Sequence, residues 1–91
     1  MKVKFFATYR DITRCKDEEI IAPPDVYRLL ENLGERYGAE LKAKLFTPGG
    51  DEINEYTIVL VNGRDVFHMD GINTVLTEAD AVSIFPVIAG G

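Results

Sequence analysis

The sequence predicts an α+β domain, in which a mixed sheet of about five strands packs against one main helix. Short runs rich in β-branched and aromatic residues lie near both ends and in the middle of the chain. Between them, one apolar stripe recurs at helical spacing, and such a helix must bury its stripe on the apolar face of a sheet. The 91 residues leave room for one core, so we expect a single domain.

The first predicted strand is VKFFATY, residues 3–9, which is rich in β-formers. The polar stretch 10–17 then predicts a turn, and residues 18–22 resume an extended pattern, so the first two strands form a hairpin. Pro23 and Pro24 end the second strand. Alternation along the first strand predicts one face made of Val3, Phe5, Ala7 and Tyr9.

The main helix is predicted to begin after Asp25, a plausible N-cap, and to end at Gly38. Residues 39–47 carry apolar side chains among Lys and Glu and predict a short second helix, which Pro48 and the two following glycines end. The stripe of the main helix consists of Val26, Leu29, Leu30, Leu33 and Tyr37.

The remaining strands follow a strong hairpin signal. Residues 56–61 are apolar on both faces, which predicts a strand in the interior of the sheet. Asn62-Gly63 is typical of a tight turn, and residues 64–67 and 81–85 predict the last two strands. If the first and last strands lie side by side in the middle of the sheet, they run parallel, which is the β-grasp arrangement.

Composition and charge exclude several functions. The net charge of −5 argues against nucleic-acid binding, which needs clustered Lys and Arg. No run approaches the roughly 18 apolar residues of a membrane span, and the N-terminus lacks a signal-peptide pattern, so we expect no membrane association and a cytoplasmic protein. Cys15 is the only cysteine, which excludes an internal disulfide and a cysteine-rich metal site.

Enzyme motifs are absent from the sequence. There is no phosphate-binding glycine loop and no nucleophile elbow, and His68 has no second histidine with which to bind a metal. The acidic runs lie in predicted turns, where they face solvent. We therefore expect no bound cofactor and no metal site.

The chain ends in VSIFPVIAGG, residues 82–91. With glycine at about 7% of average usage, two terminal glycines occur by chance in roughly 0.5% of chains. Two glycines without Cβ atoms can pass through a narrow tunnel and present the Gly91 carboxylate to a partner enzyme. We predict that residues 86–91 form a flexible tail, which extended would reach about 20 Å. The alternative is an end that simply frays.

Four stretches together resemble a known family. VKFFATYRD, IVLVNGRDV, DGINTVLTEADAVSIFP and the final AGG occur in the same order as in MoaD, the small subunit of molybdopterin synthase, within the MoaD/ThiS ubiquitin-like sulfur carriers. The chain departs from the pattern at Val87, where relatives commonly have a second proline, and at Glu78-Ala79-Asp80, where an Asp-Gly-Asp turn is frequent.

The resemblance implies a sulfur-transfer cycle. An E1-like, MoeB-like adenylating enzyme would use ATP to activate Gly91, which would become a thiocarboxylate. A MoaE-like large subunit, in a heterotetramer, would then take the sulfur for the dithiolene of molybdopterin. The resemblance implies tail-threading roles for Gly90 and Ala89, and partner-binding roles for Phe85, Pro86, Phe6 and Arg10.

Three other functions remain open from the sequence. A protein modifier would use the same activated Gly91 but would form an isopeptide with a lysine. A sulfur carrier could serve thiamine, cysteine or tungsten-pterin synthesis. An interaction module would carry the two glycines incidentally. For Phe85, packing in the core is the alternative to docking, and both roles are compatible if Phe85 lies at the edge of the sheet.

Overall fold

The computed structural model describes residues 1–87, which form one five-stranded sheet and three α-helices. Two short 3-10 helices, Val66–His68 and Gly71–Asn73, lie between the last two strands. In chain order the other elements are β1 (Lys2–Phe5), α1 (Thr8–Thr13), β2 (Asp17–Glu19), α2 (Val26–Tyr37), α3 (Ala39–Leu45), β3 (Thr57–Val61), β4 (Arg64–Asp65) and β5 (Ala81–Pro86).

The sheet has the strand order β2-β1-β5-β3-β4. The first and last strands, β1 and β5, lie side by side and run parallel, with Lys2 opposite Ala81 and Phe5 opposite Ile84. All other neighbouring strands are antiparallel. The predicted mixed sheet and β-grasp arrangement are therefore confirmed.

The core lies between the helices and one face of the sheet. Inward-pointing residues alternate along the strands with outward-pointing ones, as the pleat of a strand requires. Among residues 1–87, no helix covers the opposite face of the sheet. Fully buried members of the core include Val3, Phe5, Leu29, Leu30, Leu33, Leu41, Leu45, Val59, Val82 and Ile84.

Local signals place α2 and α3 where the sequence predicts helices. Asp25 caps α2, since its Oδ1 accepts a hydrogen bond of 2.9 Å from the Arg28 N–H. The helix ends at Gly38, whose φ of 107° favours glycine. The short second helix is confirmed as α3, and no helix within residues 1–87 is long and apolar enough to cross a membrane.

The prediction of a strand over residues 3–9 is wrong beyond Phe5. The chain turns at Ala7, which has a φ of 52°, and continues as α1. In α1, Tyr9 and Thr13 lie one helical turn apart and are both buried, so the segment has a buried helical face that the β-rich composition did not indicate. The predicted face of Val3, Phe5, Ala7 and Tyr9 exists only for Val3 and Phe5.

Three other strands differ from the prediction in extent or position. The second strand is Asp17–Glu19, since Arg10–Thr13 belong to α1 and only a short segment returns beside β1. The return strand after the Asn62-Gly63 turn has two residues, because Val66–His68 coil into a 3-10 helix. The strand β3 is interior, but β5 is the central strand, and only the helix-facing side of β3 is fully buried.

Candidate functional site

The last described strand ends at a fixed point on the sheet. Pro86 lies opposite Thr57 of β3, and the Val87 N–H donates a 2.9 Å hydrogen bond to the carbonyl oxygen of Tyr56. Strand pairing thus continues to Pro86, the first residue of the predicted tail. Ala89, Gly90 and Gly91, which carry the predicted chemistry, lie outside the described residues.

Within the described part of the chain, the end of β5 is paired on one side only. Its other neighbour, β1, ends at Phe5, and the Phe6 N–H makes the last bond from this side, to the carbonyl oxygen of Ile84 at 3.1 Å. The Val87 N–H points towards β3, because it donates a hydrogen bond to Tyr56. Backbone nitrogens alternate in direction along a strand, so the nitrogen of Pro86 points to the other side of β5, beyond the end of β1. Proline is compatible with this position because no strand there needs its N–H.

An apolar patch surrounds this end of β5 on the open face of the sheet. Phe6 and Phe85 pack edge to face, with ring centroids 5.9 Å apart and an interplanar angle of 84°. Phe6 is 38% exposed, and Phe85 and Pro86 are half-buried. The patch encloses a shallow groove of about 370 Å³ lined by Phe6, Ala7, Leu60, Ser83, Phe85 and Pro86.

The backbone turn at Ala7 forms one wall of the apolar patch. Its φ of 52° and ψ of −127° belong to a conformation that residues with a Cβ atom rarely adopt. The turn directs the chain away from β5 into α1 immediately after Phe6. Phe6 therefore stays beside Phe85 while the helix covers the opposite face.

A buried hydrogen-bond network supports the same region from the helix side. The Thr57 hydroxyl donates to the carbonyl oxygen of Lys44 at 2.6 Å, so its oxygen is free to accept from the Tyr9 hydroxyl. Burial raises the pKa of Tyr9, which keeps the phenol protonated as a donor. The network joins α1, α3 and β3 at the residue that lies opposite Pro86.

The structure brings three of the four predicted partner-binding residues together. Phe6, Phe85 and Pro86 all line the apolar patch. Phe85 points away from the helices, so it is not part of the core. Arg10 is exposed on α1 and does not line the patch.

Leu60, Ala7 and Ser83 also line the apolar patch, and none of them was predicted from the sequence. Side chains alternate between the two faces of β3, so the sequence alone places Leu60 on the opposite face of the sheet from Val59 and Val61. Only the strand register shows that Leu60 and Ser83 lie directly opposite each other across β3 and β5.

Two other groups flagged by the sequence lie elsewhere. The Cys15 thiol is 3.5 Å from the Tyr37 hydroxyl, which also bonds the Glu18 carboxylate, and Glu18 pairs with Arg36. Burial raises the pKa of Tyr37, and the contacts with Cys15 and Glu18 raise it further. These contacts fasten β2 to α2.

His68 is exposed and is the last residue of the 3-10 helix Val66–His68. Its ring packs edge to face on Phe67, with centroids 5.3 Å apart. Both His68 and the group around Cys15 lie outside the apolar patch.

Charged groups hold the start of β5. Asp80 accepts hydrogen bonds of 2.8 Å from the Asn62 side-chain amide and from the Thr77 N–H, and these bonds lower its pKa. The carboxylate of Glu78 accepts hydrogen bonds from the Ala22 N–H and from the Met1 ammonium group. Both bonds lower the pKa of Glu78, and the bond from Ala22 has the larger effect.

A β-grasp sheet with parallel central strands and an apolar patch beside the end of the last strand defines a ubiquitin-like protein. The chain belongs to the ThiS family, whose profile matches residues 3–91. It is thereby a member of the ThiS/MoaD group of ubiquitin-like sulfur carriers, and the resemblance predicted from the sequence is confirmed.

Three relatives illustrate the range of this family. Small archaeal modifier protein 3 of Haloferax volcanii is 39% identical, and the match covers 100% of this chain and 98% of the relative. The solution structure of small archaeal modifier protein 1 of Methanosarcina acetivorans has a TM-score of 0.85 at 29% identity, covering 99% of this chain and 94% of that one. A putative molybdopterin converting factor, subunit 1, of Pyrococcus furiosus has a TM-score of 0.74 at 31% identity, covering 96% and 95%.

Proposed function

We propose that this chain is a sulfur carrier whose C-terminal Gly91 is activated by an E1-like adenylating enzyme and then bears a thiocarboxylate. The carrier delivers this sulfur to a MoaE-like large subunit, for the dithiolene of molybdopterin. Membership of the ThiS family is the observation that carries the proposal. The similarity to the putative molybdopterin converting factor, subunit 1, of Pyrococcus furiosus supports molybdopterin as the destination.

The activation follows from the chemistry of a carboxylate. A carboxylate is a poor electrophile, so its oxygen first attacks the α-phosphorus of ATP, which releases pyrophosphate and gives an acyl-adenylate. The sulfur of an enzyme persulfide then attacks the acyl carbon, and AMP leaves. A second thiol reduces the resulting acyl disulfide, which gives the thiocarboxylate and an enzyme disulfide. ATP acts as a substrate of the partner enzyme in this scheme, so the carrier itself needs no bound cofactor.

The apolar patch supplies a docking surface for these partners. Phe6, Phe85 and Pro86 present apolar area at the end of β5. A partner that covers the patch would therefore lie beside Pro86 and Val87, which lead into the segment that carries Gly91. Partly exposed aromatic rings of this kind are typical centres of protein interfaces.

Protein modification is a second candidate, and one observation favours it. The relative with 39% identity over the full length is named a modifier protein. In this alternative a lysine amine attacks the same acyl-adenylate, AMP leaves, and an isopeptide bond forms. The first step is therefore shared, and the two functions differ in the nucleophile that follows.

The intact mass of the chain tests both candidates. The chain is incubated with an E1-like partner, ATP and a sulfur donor. Sulfur carriage predicts a mass increase equal to the exchange of one oxygen for sulfur, whereas modification predicts conjugates of much larger mass. Deletion of Gly91 should abolish both products. No product from the natural chain, under conditions that convert a known carrier, would contradict the proposal.

A matched pair of variants tests the role of the apolar patch. Phe85→Ala should raise the KM of the adenylating enzyme for the carrier by about tenfold, as for the loss of one central apolar anchor. Ile21→Ala is the control, because Ile21 is 87% exposed and lies outside the patch. Equal KM values for the two variants would show that the patch does not dock the enzyme.

A further inference from the structure

A second groove lies beside β3, and the apolar patch does not include it. It has a volume of about 440 Å³, and its apolar walls include Ile58, Phe67 and Val87. The charged residues that line it are Glu52, Glu55 and Asp65, and no lysine or arginine among residues 1–87 lines it. We call this surface the acidic groove.

The walls of the acidic groove are held in place by the fold. On one side, Asn54 fixes the loop, since its side-chain amide donates to the Phe46 carbonyl at 3.2 Å and its side-chain oxygen accepts from the Tyr56 N–H at 2.9 Å. On the other side, Asp65 caps the 3-10 helix through a 2.9 Å bond from the Phe67 N–H. A groove with anchored walls can accept a ligand with little loss of conformational entropy.

The contents of the acidic groove indicate what it binds. Phe67 is 82% exposed, so a large apolar ring is presented to solvent on an anchored turn. The carboxylates of Glu52, Glu55 and Asp65 form no ion pair with any residue among 1–87. A ligand that combines positive charge with an apolar side chain would satisfy both features.

We infer that the acidic groove binds a basic polypeptide segment of a partner protein, with an aliphatic or aromatic side chain beside Phe67 and arginine or lysine side chains beside Glu52, Glu55 and Asp65. Ile58 of the groove lies directly opposite Phe85 of the apolar patch across β3 and β5. The two surfaces therefore flank the end of β5. We assign the basic segment to the enzyme that acts on Gly91, and this assignment rests on the proposed function. Binding of a basic segment in the acidic groove does not rest on the proposed function.

A capped synthetic peptide tests the inference without any enzyme. The probe alternates three arginines with a leucine and a phenylalanine, and its control carries glutamates in place of the arginines. Titration into the full, isotope-labelled chain should shift the backbone amide signals of Ile58, Phe67 and Val87, and the shifts should weaken with added salt because the charges are exposed. The glutamate peptide should produce no shifts there.

Two variants of equal charge separate the groove from general attraction to an acidic protein. Neutralising the groove with Glu52→Gln, Glu55→Gln and Asp65→Asn should weaken binding by about tenfold, as expected for the loss of several exposed ion pairs. The matched control neutralises three exposed carboxylates elsewhere, with Asp17→Asn, Glu35→Gln and Glu40→Gln, and should bind almost as the natural chain does.

Several outcomes would overturn the inference. Equal weakening in both variants would mean that the attraction is not specific to the groove, and shifts confined to other surfaces would place the ligand elsewhere. Groove signals that move with protein concentration alone would indicate a second copy of the chain as the occupant. Failure of the mass test for Gly91 would leave peptide binding unaffected, so the two proposals fail separately.

Discussion

The start and the end of β5 are held in different ways. At its start, Val82 to Ile84 lie between β1 and β3, and the side chain of Asp80 accepts a hydrogen bond from the Thr77 N–H in the preceding turn. At its end, Phe85 and Pro86 pair with β3 alone, beside a backbone turn at Ala7. The same strand is thus a central strand at one end and a one-sided strand at the other.

Because of this difference, the start of β5 contributes to the stability of the fold, whereas its end presents side chains to a partner protein. Val82 and Ile84 are completely buried, whereas Phe85 and Pro86 are half-buried and line the apolar patch. We therefore expect substitutions at the start of β5 to lower the free energy of unfolding strongly, and substitutions at its end to affect partner binding with a smaller loss in the free energy of unfolding.

The largest expected effect on stability comes from Ile84→Ala. Ile84 is fully buried against the helices, so its truncation should lower the free energy of unfolding by about 2–5 kcal/mol. The neighbouring Phe85→Ala removes a half-buried ring and one aromatic contact, and should lower it by roughly 1 kcal/mol. Urea unfolding followed by circular dichroism measures both. A larger loss for Phe85→Ala than for Ile84→Ala would show that the end of the strand, not its start, carries the stability.

A smaller effect on stability is expected from Tyr9→Phe, because Tyr9 lies on the helix side of the sheet near the end of β5. The substitution removes the hydroxyl that donates to Thr57, opposite Pro86, and should lower the free energy of unfolding by about 1 kcal/mol. Hydrogen exchange should show a larger change at the Val87 amide than at Val82. Equal changes at both amides would mean that the network does not support the end of the strand locally.

Much of the fold could be predicted from the sequence because its signals are local. The stripe of α2, the Asp25 cap and the Asn62-Gly63 turn each occupy a few consecutive residues, and the turn has both residues at positive φ, as expected. The prediction that Tyr9 lies in the first strand was wrong, because residues 3–9 are rich in β-forming residues throughout. The turn at Ala7 depends on a conformation that alanine does not signal.

Residues of the candidate site could be predicted only where they belong to a motif of the family that the sequence resembles. Phe85, Pro86 and Phe6 follow from the family resemblance, and the structure groups them. Leu60 joins them only through the register of β3 with β5, which no single segment of sequence specifies. The acidic groove depends on how residues 52–55 pack beside Val66–His68, a contact between segments distant in the chain.

The turn at Ala7 offers a gain in stability. Glycine adopts its backbone angles without the clash of a Cβ atom, so Ala7→Gly should relieve strain that is partly offset by the greater entropy of the unfolded chain. The expected net gain in the free energy of unfolding is about 0.5–1 kcal/mol. Ala7→Val, with a branched side chain, should have the opposite sign. A loss of stability for the glycine variant would show that the Cβ atom of Ala7 contributes packing within the patch that outweighs the strain.

The smallest effect concerns the charges at the start of β5. Hydrogen bonds from Asn62 and Thr77 lower the pKa of folded Asp80 below its ordinary 3.8, so the carboxylate stabilises the fold above that pH. This contribution is lost as the pH falls through the lowered pKa, where the folded carboxyl also becomes protonated. Asp80→Asn should therefore be less stable than the natural chain at pH 7, with the difference shrinking below pH 3.8. Unfolding in urea across this range measures it. A difference that stays constant with pH would mean that Asp80 acts through the shape of its hydrogen bonds and not through its charge.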